Sequence, residues 1–185
     1  MREIEVKLPL EDADDARRRL GLAGAVAETP RQFEDNRLYD DAAGSLAAAR
    51  RILRLRSTAG RHLVTFKAPD EGNSGDVRYK VRIEHQTTVE DAEEFDRLLQ
   101  ALGYRPIWRY QKFRQSYRLG AVHADLDETP IGVYLELEGL PAEIDAAAAA
   151  LGFSPADYVA SSYRALFEHR GLAGDMVFPP HEERP

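Results

Sequence analysis

Arg2-Glu-Ile-Glu-Val-Lys-Leu8 alternates without a break. Ile4, Val6 and Leu8 fall on one side; Glu3, Glu5 and Lys7 fall on the other. A period of two is the signature of a β-strand with one buried face. The same alternation recurs further on. Arg54 and Arg56 flank Leu55, and Lys67 follows Phe66. Lys80, Arg82 and Glu84 interleave with Val81 and Ile83, and Lys112 and Arg114 flank Phe113. Asp127 follows Leu126, and Glu136 and Glu138 interleave with Leu135 and Leu137. Eight strands are expected, at 2–8, 31–40, 50–57, 62–68, 76–86, 106–118, 120–127 and 131–138. Most are consecutive and short-looped, which favours antiparallel pairing.

One strand with an apolar and a charged face is the ordinary pattern of a half-exposed sheet. The set as a whole departs from it. Exposed strand faces favour Thr, Ser and Gln among their charges, whereas these faces are almost wholly ionic. Eight bases (Lys7, Arg54, Arg56, Lys67, Lys80, Arg82, Lys112, Arg114) stand with six acids (Glu3, Glu5, Glu84, Asp127, Glu136, Glu138). Two Glu-x-Glu pairs, at 3/5 and 136/138, would bring four carboxylates together if their strands are neighbours. A hard divalent cation turns that repulsion into binding. The facing Arg and Lys side chains suit a polyanion such as a phosphate chain. Desolvating each ion costs several kcal/mol, so about fourteen of them cannot form a dry core in a domain of ~5–15 kcal/mol stability. The expected fold is therefore α+β: an eight-stranded antiparallel closed β-barrel with a hydrated charged lumen and helices packed outside.

The helices are expected at 11–22, at 89–102 with Thr88 as cap and Gly103 as stop, from Pro141 to Gly152, and from Ser154-Pro155 to about Arg170. Pro69–Gly75 reads as a loop. The chain is expected to form a single domain over residues 1–171, followed by a disordered tail over 172–185. Among 185 residues, with 25 Lys and Arg against 32 Asp and Glu, the net charge is −7. That argues against generic binding to nucleic acid or anionic membranes. The lack of cysteine removes disulfides, thiolate nucleophiles and Cys-ligated metals. No apolar run approaches a membrane span and the first residues carry no apolar signal core, so a cytoplasmic location is expected.

The ordered motifs resemble the CYTH superfamily of triphosphate tunnel metalloenzymes. They are E-I-E-V-K at 3–7, L-R-L-R at 53–56, T-F-K at 65–67, K-V-R-I-E at 80–84, K-F-R at 112–114, L-D-E at 126–128 and Y-L-E-L-E-G at 134–139, and S-S-Y-R-A-L-F at 161–167 also resembles family members. The resemblance covers about residues 1–140 and implies a tunnel that binds a small-molecule triphosphate with Mg²⁺ or Mn²⁺. It implies that Glu3, Glu5, Glu136 and Glu138 bind metal, with Asp127 near the metals. It makes the eight bases triphosphate contacts and Glu84 a further tunnel acid. Glu5, Lys7, Arg56 and Asp127 are the residues expected to act in catalysis. One departure stands out: Gln86 occupies the place where the family often carries a second acid.

The leading expectation is metal-dependent hydrolysis of inorganic tripolyphosphate, a nucleoside triphosphate or thiamine triphosphate. A class IV adenylate cyclase is the second, and a non-catalytic polyphosphate- or nucleotide-binding module the third. A monomer or homodimer is expected. The five histidines lack zinc-ligand spacing, and His123 reads as a partly exposed structural residue. Trp108, Tyr104 and Tyr110 are expected to pack in the core or at the barrel mouth. Tyr158, Tyr163 and Phe167 lie at near-helical spacing and are expected to pack the last helix onto the barrel. All four lysines, at 7, 67, 80 and 112, fall on the proposed tunnel wall.

Overall fold

The computed structural model describes residues 1–71 and 77–179. Nine strands form one sheet: β1 (Arg2–Leu10), β2 (Val26–Ala27), β3 (Gln32–Asp40), β4 (Ile52–Thr58), β5 (Arg61–Pro69), β6 (Lys80–Val89), β7 (Arg105–Leu119), β8 (Val122–Thr129) and β9 (Gly132–Glu138). The order β7-β3-β4-β5-β6-β1-β9-β8 closes through a β7–β8 pairing into an eight-stranded antiparallel barrel. β2 extends β3's side of β7, at Tyr117 and Arg118.

The alternation read in the sequence sets the two faces. Outside the barrel, Val6, Leu8, Leu126, Leu135 and Leu137 are buried against α1 (Ala13–Leu22) and α4 (Pro141–Ala150) through Leu20, Ile144 and Ala148. Tyr39 and Leu55 pack with Leu99 of α3 (Ala92–Ala101). At about 1.5–3 kcal/mol for each fully buried aliphatic side chain, this outer layer supplies the hydrophobic stabilisation, which leaves the inner faces free to carry ions. A short α2 (Ser45–Ala48) sits in the β3–β4 connection, its Ser45 amide donating to Asp41 and its Leu46 and Ala47 amides to the Asp40 carboxylate.

Several expectations are corrected. α3 starts later than expected because β6 runs on to Val89, paired with His62; Asp91, not Thr88, caps the helix by accepting from the Glu93 and Glu94 amides. Gly103, at φ +92°, still ends it. β6 begins at Lys80, and Val77–Tyr79 form a turn; part of the expected loop and the start of the expected strand, residues 72–76, lie outside the described residues.

The single helix expected from Pro155 to Arg170 is broken. A 3₁₀ turn (Pro155–Asp157) is followed by extended chain, and only then by α5 (Tyr163–His169), capped by Ser162. Val159 exchanges two backbone hydrogen bonds with Lys7 (3.0 and 2.9 Å), on the β1 edge that β6 leaves bare beyond Glu5. An unpaired edge outcompetes local helix propensity.

The expected disordered tail is ordered as far as the described residues reach. Gln111 N donates to Met176 O (2.9 Å) and Met176 N to Arg109 O (3.0 Å), and Trp108 Nε1 donates to Gly174 O (3.0 Å). Met176 is fully buried, and Phe178 packs on Phe113 with ring centroids 5.2 Å apart. Residues 180–185 lie outside the described residues.

Candidate active site

The barrel registers bring the ionic faces together. Across β1 and β9, Glu5 faces Glu138 and Lys7 faces Glu136. Across β1 and β6, Glu3 faces Arg82 and Glu5 faces Lys80. Lys67 faces Glu84 across β5 and β6, and Arg114 faces Asp127 across β7 and β8. These strands enclose a cavity of about 630 Å³. All eight expected bases line it, together with Glu3, Glu5, Glu84, Glu136 and Glu138. Asp127 lies on the same inner face, fully buried and bonded to lumen bases.

The sequence reading missed part of this wall. Glu34 accepts from Arg56 (2.8 Å), and Asp125 pairs with Arg114. Counting both gives the expected strand faces eight bases and eight acids, and the cavity lining adds Arg50, Arg51 and Arg164 against Asp40 and Glu168, so the lumen is closer to charge balance than the sequence reading drew it. Asn36 accepts from Arg56 Nε (2.8 Å), Thr65 accepts from Arg54 (3.2 Å), and Thr65 donates to Gln86 (3.1 Å). Asp125 and Tyr110 stand two residues before expected wall residues, so period two could have found them. Glu34 and Asn36 were hidden because β3 carries polar residues on both faces.

Tyr110 points inward. Its ring stacks on Trp108 (5.0 Å, 25°), and its hydroxyl accepts from Arg54 (3.2 Å). Burial pushes the phenol up, but Arg54, Arg56 and Lys112 outweigh it and bring it down to about 8. α5 closes on the tunnel through Tyr163. Its hydroxyl donates to Asp127 Oδ2 (2.7 Å), and Lys7 and Lys112 lie over its ring at 5.2 and 5.3 Å. Phe167 packs on Trp108 as expected, whereas Tyr158 lies before the helix and packs on Tyr79. His123, half-buried at the tunnel wall, bonds Glu28 through Nδ1 (2.9 Å) and stands 3.1 Å from Asp125 through Nε2.

The charges are not matched evenly. On one side, Asp127 takes Lys112 (2.7 Å), Arg114 (2.6 Å) and Tyr163, while Glu136 takes Lys7 (3.0 Å) and Arg114. Burial would raise Glu136, but Lys7, Arg114 and Lys112 hold it well below the usual carboxylate range. On the other side, Lys67 Nζ donates to both oxygens of Glu3 (2.6 and 2.7 Å) and pairs with Glu84 (2.7 Å). Lys80 and Lys7 share Glu5 Oε1 (2.6 and 3.0 Å). Among the described residues Glu138 has no side-chain cation partner. Burial first, then Glu3 and Glu5, push its carboxyl up to about 7. Burial and Glu5 also leave Glu3 raised despite Lys67. Unmet positive charge sits alongside. Burial depresses Lys80 and Arg82 in spite of Glu5, and buried Arg54 Nε has no protein partner.

The CYTH domain family model matches residues 1–163. The chain belongs to the CYTH family. A relative from Methanocaldococcus jannaschii, named "Putative adenylate cyclase", is 25% identical over 139 residues, covering 75% of this chain and 77% of the relative. A Vibrio parahaemolyticus structure with the same style of name superposes with TM-score 0.77 at 20% identity, over 90% of this chain and 97% of its own. A Hippeastrum structure, titled as an adenylyl cyclase candidate that reveals a dominant triphosphatase activity, superposes with TM-score 0.63 at 18% identity, over 98% of this chain and 100% of its own. These likenesses show the CYTH fold.

The all-oxygen donor set Glu3, Glu5 and Glu138 suits a hard cation such as Mg²⁺ or Mn²⁺. Burial, then the charges of Glu3 and Glu5, raise Glu138, and such a cation relieves both. Among the described residues, no three acids or histidines yet stand at metal-holding spacing; Lys67 occupies both Glu3 oxygens and Lys80 caps Glu5. No helix is long and apolar enough to cross a membrane among the described residues.

Proposed function

We propose that this CYTH protein is a divalent-metal-dependent phosphohydrolase that cleaves the terminal phosphoryl group of a triphosphate in its tunnel. The observation that carries the reading is the coexistence, in one lumen, of under-compensated carboxylates (Glu3, Glu138) and under-compensated bases (Lys80, Arg82), with the Arg54 Nε–H left open beside them. A polyanion alone would worsen the first set, and a cation alone the second. A metal–polyphosphate pair satisfies both.

Glu3, Glu5 and Glu138 would hold the cation, with Glu136 and Asp127 orienting the bases beside them. Such a cation neutralises phosphate oxygens and acidifies the attacking water. The rest falls to the chain. Lys67, Lys80, Arg82, Arg54 and Arg56 grip the phosphate oxygens, with Arg supplying forked contacts and Lys point charges. Arg114, Lys112 and Lys7, held rigidly by Asp127, Glu136 and Tyr163, stabilise charge that develops on the equatorial and leaving oxygens.

A second reading, a class IV adenylate cyclase, is favoured by one feature. Leu38, Ile107 and Trp108 add an apolar stretch to the ionic wall, suited to an organic group attached to the phosphates. A substrate panel of tripolyphosphate, ATP and thiamine triphosphate, run with Mg²⁺ and Mn²⁺ separately, separates the two. Orthophosphate with a diphosphate product supports hydrolysis, and cyclic AMP with pyrophosphate supports cyclisation. Folded protein that consumes none of them defeats both.

A further inference from the structure

Lys67 lines the cavity, its side chain 12% exposed, and makes three short contacts, two to Glu3 and one to Glu84. Its ammonium lies where a cation bridging these carboxylates would lie. Of the three acids assigned to the cation, Glu138 is open, Glu5 is capped by Lys7 and Lys80 on a single oxygen, and Glu3 has both oxygens taken by one side chain. Glu3 is thus the ligand the resting tunnel withholds, and Lys67 is the group that withholds it.

We infer that Lys67 is a tethered counter-cation that competes with the divalent cation for Glu3 and leaves it when a phosphate chain offers Lys67 another anion. The inference rests on the function proposed above. It follows from electrostatics of limited space. A buried carboxylate calls for a counter-charge, and one built-in ammonium supplies part of it to Glu3 in the empty protein. Installing a dication beside that ammonium would add like-charge repulsion, so the two occupy Glu3 in turn. A polyanion removes the conflict by drawing Lys67 across the lumen. Metal and anion then favour each other's binding, and by linkage the effect is reciprocal. The empty tunnel binds metal alone only weakly, and the site tightens around a phosphate.

The test uses Mn²⁺ alone on the full chain, followed by electron paramagnetic resonance of the free ion with no phosphate present. Lys67→Met and Lys67→Gln should bind Mn²⁺ at least about tenfold more tightly than the unaltered protein, within the usual range of site-to-site coupling. Lys67→Arg, which keeps the charge on Glu3, should stay as weak as the unaltered protein. Adding Glu3→Gln to Lys67→Met should abolish the gain. Inorganic phosphate should tighten Mn²⁺ binding to the unaltered protein and not to Lys67→Met. Circular dichroism selects folded variants, and Lys67→Gln serves if Lys67→Met fails to fold. The inference is overturned if neither neutral variant gains affinity, if Lys67→Arg gains as much, or if the gain survives Glu3→Gln. These outcomes are separable from failure of the parent reading: turnover of tripolyphosphate without any gain at Lys67 sinks the inference alone, and absence of turnover with every cation sinks the parent reading.

Discussion

Two carboxylates on neighbouring strands of one tunnel have opposite surroundings. Asp127 is fully buried and saturated by Lys112, Arg114 and Tyr163. Glu138, on the adjacent strand, has no cation partner among the described residues, and its carboxyl rises to about 7. The difference teaches that acids sharing one charged lumen do different physical jobs. Asp127 holds Lys112, Arg114 and Tyr163 in place. Glu138 is left without a cation partner among the described residues, so burial, Glu3 and Glu5 keep its carboxyl raised.

The first way to break this comparison is Asp127→Ala. It would strand Lys112 and Arg114 without their shared counter-charge, and removal of one partner from a buried ion pair costs about 3–5 kcal/mol. Urea denaturation should show that loss; a midpoint like that of the unaltered protein would remove Asp127's anchoring role. Next in size is Tyr163→Phe, which deletes one hydrogen bond to a charged acceptor and keeps the ring under Lys7 and Lys112. A loss of about 1.5 kcal/mol is expected from the same denaturation experiment.

Lys→Arg changes at 7, 80 and 112 form a third series. Each should reduce turnover more than stability, because a guanidinium cannot replace a compact ammonium in these crowded positions. Paired kinetic and melting measurements check it, and three near-neutral variants would contradict it.

The smallest effect on stability is expected for Glu138→Gln, and its sign depends on pH. Glu138 titrates higher in the folded chain (about 7) than its ordinary value of 4.5. Folding therefore binds a proton between those values. Glu138 favours the fold below about pH 4.5 and loses that contribution as pH rises through about 7. In metal-free protein, Glu138→Gln should flatten this part of the stability profile and leave the rest intact. An unchanged slope between pH 4.5 and 7 would show that Glu138 is not under-compensated.

Much of the barrel was legible because period two survives in the strands that matter. Glu3/Glu5, Arg54/Arg56 and Glu136/Glu138 each announce one inner face, and the registers bring those faces together. What was not legible depends on contacts distant in sequence. Nothing local in Tyr158–Ser162 tells that Val159 will fill the bare edge beside Lys7. Nothing in Gly174–Phe178 tells that Trp108 and Gln111 await its backbone. Tyr163 sits on a helix, where strand parity has no bearing, yet it reaches Asp127. Glu34 balances Arg56 from a strand whose two faces look alike. The identity of the inner face was readable; its charge balance was not, because that required knowing which acids from an ambiguous strand point inward.

The most direct test of the account measures orthophosphate release from tripolyphosphate by the unaltered protein and by Glu138→Gln, with Mn²⁺ and with a chelator. The account predicts release only with the cation, and a Mn²⁺ requirement for Glu138→Gln raised by at least the roughly 10–100-fold that weaker, outer-shell losses already cost metal sites. Release that persists in chelator, or a Glu138→Gln variant with an unaltered Mn²⁺ requirement, would contradict it.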